Sequence, residues 1–399
     1  MDRNTSLFNK KQNNLFTITN KNPSANLFQK PFSTVLFLFH VIGVDIDYCS
    51  KHTNRNKLSR CIFKCPKYIF NFILFSVLFI QLNWLIVLRE KRTEAALFVI
   101  LLIQSTAHIS VYIRRKYIAL GLRNLSRISE LLPFKGNFQR LNVLVHIYCF
   151  CFACLVIGLM SWHFPSGENA VYFEQCCQSH VLSDIFEDPS TYCKFIQNVM
   201  LFCFPLVLGG TLITFTSYYS LMCVHIHLFY GQLISQLQNS QAVLDCHRML
   251  QAYEAISNTV TSLDDRFSYA AFITVLSSMA GIFRASYVLI FDRKATTMTL
   301  IYYCVALMLY LYVFLSIILS ASAATQKGRV SKELIVSLPG KYPSHYKKLK
   351  MILRNNFKSD VALTLWKMYV IERSILISAC GTLVTYGILI ATLGNVQVS

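Results

Sequence analysis

The charges best placed to do chemistry in this sequence are Arg284 and the pair Glu372 and Arg373, because they stand inside or at the end of long apolar runs. A charge within a helix made for hydrocarbon is costly and faces a cavity, a partner or water. Arg284 could bind tyrosine hydroxyls, stack on an aromatic ring or hold an acidic ligand. Glu372 and Arg373 are neighbours, so an ion pair between them is the ordinary reading; a contact that changes on gating is the sharper one.

Catalysis finds no footing beside these charges. The chain has no Gly-rich phosphate loop, no HExxH and no GxSxG. His225 and His227 are two apart, so on a helix they face different ways and are not expected to share a metal. His108 and His146 read as satisfied interior histidines. Cys61 and Cys65 lack the further His or Cys ligands of a zinc site and read as thiols. Cys176, Cys177 and Cys193 fall in one segment; if that segment is extracellular, Cys193 can pair with Cys176 or with Cys177. No enzyme activity, cofactor or metal is expected.

The elements that must position these residues are membrane helices. The chain has 399 residues, 54% of them hydrophobic and 14% charged, with mean hydropathy +0.45; soluble domains carry about 25% charged residues. Seven apolar runs cover residues 68–88, 95–113, 141–164, 196–220, 267–290, 298–325 and 368–393. Each is near or above the ~20 residues that cross a bilayer as a helix, and the runs are too long for barrel strands.

The basic residues then orient the chain. Residues 1–67 and the segments 114–140, 234–266 and 326–367 hold 11, 7, 2 and 10 Lys and Arg, against 3, 1, 2 and 0 in 89–94, 165–195, 291–297 and 394–399. Basic loops stay in the cytoplasm. The fold class is therefore all-α, a polytopic protein of seven transmembrane helices with its N-terminus cytoplasmic and its C-terminus extracellular. That orientation is opposite to a G-protein-coupled receptor. The net charge of +19 is topological and faces anionic lipid; no nucleic-acid partner is implied.

Residues 1–67 read as a polar cytoplasmic tail without a signal peptide, carrying a short interfacial or re-entrant helix over 33–44. Residues 68–325 carry spans one to six. Helical spacing continues over about 221–266, so helices are expected to extend past the membrane and pack in the cytosol. Segment 326–367 is expected to turn at Pro339, Gly340 and Pro343, then to run as a basic helix over 344–370 straight into the last span. Segment 165–195, with Glu168, Glu174, Asp184, Glu187 and Asp188 against Lys194, either concentrates cations at an outer vestibule or simply tolerates acids.

The last span, 368–393, is rich in small and hydroxyl side chains: Ser374, Ser378, Ala379, Gly381, Thr382, Thr385, Gly387, Ala391 and Thr392. Gly381, Thr385, Ile388 and Thr392 share one helical face. Such a stripe serves close helix packing or a pore wall that conducts when wet and closes by dewetting.

Here the sequence resembles the insect gustatory receptors. That family ends its seventh span with Thr-Tyr, four hydrophobic residues and Gln-Phe. Thr385 and Tyr386 are followed by Gly387, Ile388, Leu389 and Ile390, then by Ala391 and Thr392 in place of Gln and Phe. The stretch 372–378 and the layout of spans are also similar. The layout covers nearly the whole chain; the motif covers about 20 residues. The resemblance implies a tetrameric, ligand-gated, non-selective cation channel in the plasma membrane, homomeric or assembled with other receptor subunits. Its seventh helices would line the pore, and 326–367 would form a cytoplasmic anchor. Ala391 and Thr392 would occupy the gate positions, with Ile388 or Leu389 left as the constriction.

The resemblance also implies a ligand pocket in the outer half of spans two to six. Gln104, Trp162, Phe202, Arg284, Tyr287, Tyr302 and Tyr303 are the candidates, aromatic walls with a few polar groups that suit a small organic ligand. Few carboxylates lie there, which favours a bitter or weakly polar tastant over a sugar. Two other readings stand beside this one. An odorant receptor subunit shares the fold but would need a partner subunit. A secondary transporter would show internal repeats, and an odd span count works against them.

Overall fold

The computed structural model describes residues 23–44, 91–132, 147–154, 189–239, 243–291, 297–341 and 361–396, with a few isolated positions between them. These residues are almost wholly helical. The elements are α1 (Pro23–Val41), α2 (Lys91–Ile113), α3 (Arg115–Leu131), α4 (Pro189–Asn239), α5 (Val243–Phe291), α6 (Thr297–Lys341) and α7 (Ser374–Val396). Between α6 and α7 lies a small antiparallel hairpin of β1 (Thr364–Leu365) and β2 (Tyr369–Val370), in which Thr364 faces Val370. Residues 147–154, inside the third apolar run, are also helical; the first run, 68–88, lies outside the described residues except for Phe72.

Three helices are long and apolar enough to cross a membrane among the described residues: Val207–Gln238 in α4, Arg248–Ile290 in α5 and Thr299–Gly340 in α6. They differ in what covers them. The most apolar stretch of α4 is 89% buried inside the protein, whereas that of α6 is only 28% buried. α4 is therefore the central helix, apolar all round because protein surrounds it, and α6 presents its apolar surface outward, as a helix bathed in lipid does. α4 and α5 both pack along α6, and α2 packs against α4 and α5.

The centre of the bundle is aromatic. Tyr218 of α4 meets Phe39 of α1 edge-on at 6.2 Å and Phe267 of α5 at 5.7 Å, and Phe215 meets Phe267 at 6.0 Å. Ring pairs in this range add about 0.5–1.5 kcal/mol beyond their buried area. α1 joins this cluster through Phe32, Val35, Phe39 and Ile42, spaced at three and four residues and all buried. It begins ten residues before the expected 33. It ends where Gly43 takes a left-handed φ of 78°. The Gly43 N–H then donates to the His40 carbonyl and the Val44 N–H to the Phe39 carbonyl, the paired closing bonds of a glycine-terminated helix.

Three features add to or correct the sequence reading. Segment 114–140, whose secondary structure the sequence reading left open, begins with α3, whose Ile118, Leu122, Leu125 and Ile128 are buried while Arg123 and Arg127 are exposed. Its arginines, with that of α5, grip tyrosine faces: Arg115 on Tyr112 at 4.3 Å, Arg114 on Tyr269 at 5.5 Å and Arg266 on Tyr117 at 4.1 Å. Second, the chain does not turn at Pro339 and Gly340. α6 runs through both to Lys341, because its buried Ile335 and Leu338 still face the core. Third, no helix runs from 344 into the last span. Residues 361–373 are extended or turned, and α7 starts at Ser374 rather than 368. The apolar side chains that suggested a continuous helix, Leu363, Leu365 and Ile371, are instead buried in alternation against α5 and α6.

Candidate functional site

Arg284 lies on α5, one turn beyond Gly281 and two beyond Ser277. Its Nη2 donates to the Tyr303 hydroxyl of α6 at 3.4 Å. Tyr302, next in the chain, stands edge-on to Tyr303 with ring centroids 5.2 Å apart. Two turns along α6, on the same face, Tyr310 accepts a 2.8 Å bond on its hydroxyl from Gln104 Nε2 of α2. The structure thus brings Gln104, Arg284, Tyr302 and Tyr303 into one polar and aromatic cluster between α2, α5 and α6. Tyr287 sits one turn beyond Arg284 with 42% of its surface exposed. Trp162 lies outside the described residues, and Phe202 is described only as helical backbone in α4.

Three residues of this cluster escaped the sequence reading. Tyr310 links the α2 and α6 sides, and its spacing of seven from Tyr303 was the available signal. Gly281 makes room for it: a methyl at that position would come within 2.6 Å of the Tyr310 ring. Ser277, four residues before Gly281 on the same face, keeps a buried hydroxyl with no hydrogen-bond partner among the described residues. A buried donor left over is uncommon, and together with Gln104 and the tyrosines it gives the cluster polar groups able to orient a small molecule.

The histidines are held for packing. His108 Nδ1 lies 2.8 Å from Thr211 Oγ1, whose hydroxyl donates to the Val207 carbonyl. His225 Nδ1 meets the Leu221 carbonyl of its own helix and His227 Nδ1 the Ala323 carbonyl of α6, so the two rings serve different elements.

α7 is held at its root and little along its length. Ile377 and Val384 are 78% and 61% exposed, and Gly381, Thr382 and Thr385 are exposed with them; Ala379 is buried, and Ile375, Leu376 and Leu383 pack partly on the core. The Thr385 hydroxyl donates to the Gly381 carbonyl at 2.8 Å and that of Thr382 to Ser378 at 2.9 Å. These hydroxyls are spent on their own helix, so the stripe is less polar than its composition suggests. Ile388, Leu389, Ala391 and Thr392 are described as helical backbone only, and Cys176, Cys177 and the Cys193 side chain lie outside the described residues.

The root itself is the hairpin. Trp366 and Lys367 at its tip have φ of 51° and 59°, the left-handed region that Asn-Gly turns usually supply; each such residue costs about 1–3 kcal/mol unless its surroundings insist. They do insist. The Trp366 N–H donates to the Ser268 carbonyl of α5, and its indole packs on Tyr269 and Phe272. Lys367 Nζ reaches Asp264 and Asp265, each at 2.6 Å. The buried Asp264 also accepts from the Thr364 N–H at 2.6 Å and the Thr364 hydroxyl at 2.8 Å. Partial burial pulls the Lys367 ammonium down, but the hydrogen bonds and charges of Asp264 and Asp265 outweigh it and hold the group above its ordinary value. Glu372 does not pair with its neighbour Arg373: its Oε1 accepts from Arg329 Nη2 of α6 at 2.6 Å, because α7 begins only at Ser374 and the extended backbone turns the two side chains apart.

No protein-family model matches the chain, and no curated protein does. Solved structures do. The insect olfactory receptor OR5 from Machilis hrabei superposes with a TM-score of 0.61 at 12% identity, covering 91% of this chain and 97% of that one. The same receptor in complex with eugenol gives 0.65 at 12% identity, covering 93% and 100%. Over nearly its whole length, this chain therefore has the fold of an insect olfactory receptor.

Proposed function

We propose that this protein is a chemoreceptor of the gustatory kind, a ligand-gated, non-selective cation channel of the plasma membrane. In this reading the N-terminus is cytoplasmic, seven helices span the membrane, and four subunits, identical or mixed, surround a pore lined by α7. A small, weakly polar tastant binds at the cluster of Gln104, Arg284, Tyr302, Tyr303 and Tyr310. The pore would be walled by Thr385, Ile388, Leu389, Ala391 and Thr392, and cations would permeate it.

The observation that carries this reading is a fold shared over nearly the full chain with OR5, a receptor solved with the small organic molecule eugenol. The exposure of Ile377, Thr382 and Val384 on α7 supports it: an apolar helix so exposed has surface left for neighbours. The Thr385 and Tyr386 motif favours a gustatory over an olfactory ligand. The fold likeness favours the second reading, an olfactory-type subunit.

Expression of the chain alone in oocytes, with currents recorded across a panel of bitter compounds, sugars and volatile phenols, tests both. Cation currents evoked by weakly polar tastants support the gustatory reading. Currents that appear only with a co-expressed partner, and only to volatiles, favour the olfactory one. Ligand uptake without channel conductance would refute both.

A further inference from the structure

The root of α7 contains a cleft that none of the roles above uses. It has a volume of about 220 Å³ and is lined by Ser322, Thr325, Gln326 and Arg329 from α6 and by Ile371, Glu372 and Arg373 from the strand leading into α7. That volume falls below the ~300 Å³ at which sites for drug-sized ligands begin, so a single headgroup-sized molecule suits it.

The charge of the lining is unbalanced. Glu372 is engaged by Arg329 at 2.6 Å. Arg373, exposed on the same cleft, has no hydrogen-bond or ion-pair partner among the described residues. The lining therefore offers two guanidinium groups against one carboxylate. A guanidinium presents five donors in a planar fork that matches the oxygens of a phosphate. α7 opens at Ser374, next to Arg373 of the lining.

We infer that the cleft between Arg329 and Arg373 binds a phosphate monoester, either on a phosphoinositide headgroup or on a soluble sugar phosphate. An arriving phosphate would compete with Glu372 for Arg329. Occupancy is thereby set against the ion pair that ties α6 to the start of α7.

Binding is measured on the full chain in phosphatidylcholine nanodiscs, without recording current, so the result is independent of the channel reading. The probes are inorganic phosphate, inositol trisphosphate, and nanodiscs doped with phosphatidylinositol bisphosphate; the readouts are thermal stabilisation and titration affinity. Stabilisation by doped nanodiscs, with or without inositol trisphosphate, identifies lipid, whereas stabilisation by the soluble probes and not by doped nanodiscs identifies a soluble source. Arg373→Gln is expected to weaken binding roughly tenfold or more, as the loss of a charged hydrogen bond does. Glu372→Gln is expected to tighten it several-fold by releasing Arg329, whereas a merely structural role for Glu372 predicts the reverse. The Arg373→Lys variant, with the charge kept, checks that a loss is not misfolding and should retain part of the affinity. No stabilisation by any probe, equal affinity in Arg373→Gln, or weaker binding in Glu372→Gln overturns the proposal.

Discussion

Replacing Asp264 with alanine should free the root of α7 from α5. The carboxylate is buried and takes the Thr364 N–H, the Thr364 hydroxyl and the Lys367 ammonium at 2.6–2.8 Å. The Thr364 bonds carry most of the effect, because hydrogen bonds to a charged group are worth about 1.5–3 kcal/mol each. The lysine contributes little: its side chain is 51% exposed and keeps Asp265 at 2.6 Å, which limits the pair to about 1 kcal/mol or less. The loss at the hairpin is therefore about 3–6 kcal/mol, and backbone strain at Trp366 and Lys367 also favours opening. Since 1.4 kcal/mol is a factor of ten, amide exchange over 361–373 should accelerate roughly 100-fold to 10,000-fold. Hydrogen-exchange mass spectrometry of the protein in nanodiscs reads this directly, with Lys367→Met as the comparison, expected within about fivefold of the parent. Unchanged exchange in Asp264→Ala, or a larger effect from Lys367→Met, would refute the ranking of buried carboxylate over exposed ammonium.

Further expectations concern the cluster, the stripe and pH. Gly281→Ala should push the Tyr310 ring off Gln104 and destabilise the protein by about 1–3 kcal/mol, the usual range for overpacking, visible as a lowered melting temperature; a variant as stable as the parent would show that the ring gives way freely. Arg284→Gln should shift the half-maximal ligand concentration by tenfold or more while leaving surface expression unchanged, and an unaltered dose-response curve would remove Arg284 from the site. Substituting Thr385 with valine or Ile388 with alanine should change single-channel conductance; identical currents would place the pore elsewhere. The folded value of Lys367 is raised, so its share of stability is complete below the ordinary lysine value of 10.5 and fades as pH climbs through the raised one. The protection factor over 361–373, exchange corrected for its intrinsic base catalysis, should thus be flat through neutral pH and fall only in strong alkali, and a fall near neutrality would contradict this.

The sequence made the helices legible because lipid and protein interior ask for the same thing, uninterrupted apolar side chains. α2, α4, α5 and α6 all contain the runs that announced them. It hid the elements whose partners are remote. Thr364 to Val370 reads as a helix continuing into α7, and Asp264 and Ser268, about a hundred residues earlier, help to impose the hairpin. Pro339 signals a break on local grounds, yet buried Ile335 and Leu338 carry the helix past it. The Arg284 cluster was half visible. Tyrosines on one helix can be counted, but the fit of Tyr310 over Gly281 depends on how closely α5 approaches α6. Glu372 was assigned the wrong arginine for the same reason: proximity along the chain stood in for proximity in space.

The anchoring of α7 at one end has a mechanical consequence. With 23 residues the helix is about 34 Å long. Because it is clasped at the base and exposed at Ile377, Thr382 and Val384 among its described side chains, it behaves as a cantilever. A tilt of roughly 10° about the clasp sweeps the far tip by about 6 Å, which exceeds the width of a hydrated side chain. Modest rearrangement where the hairpin grips α5 is thus amplified into large travel at the far end of α7, without bending the helix itself.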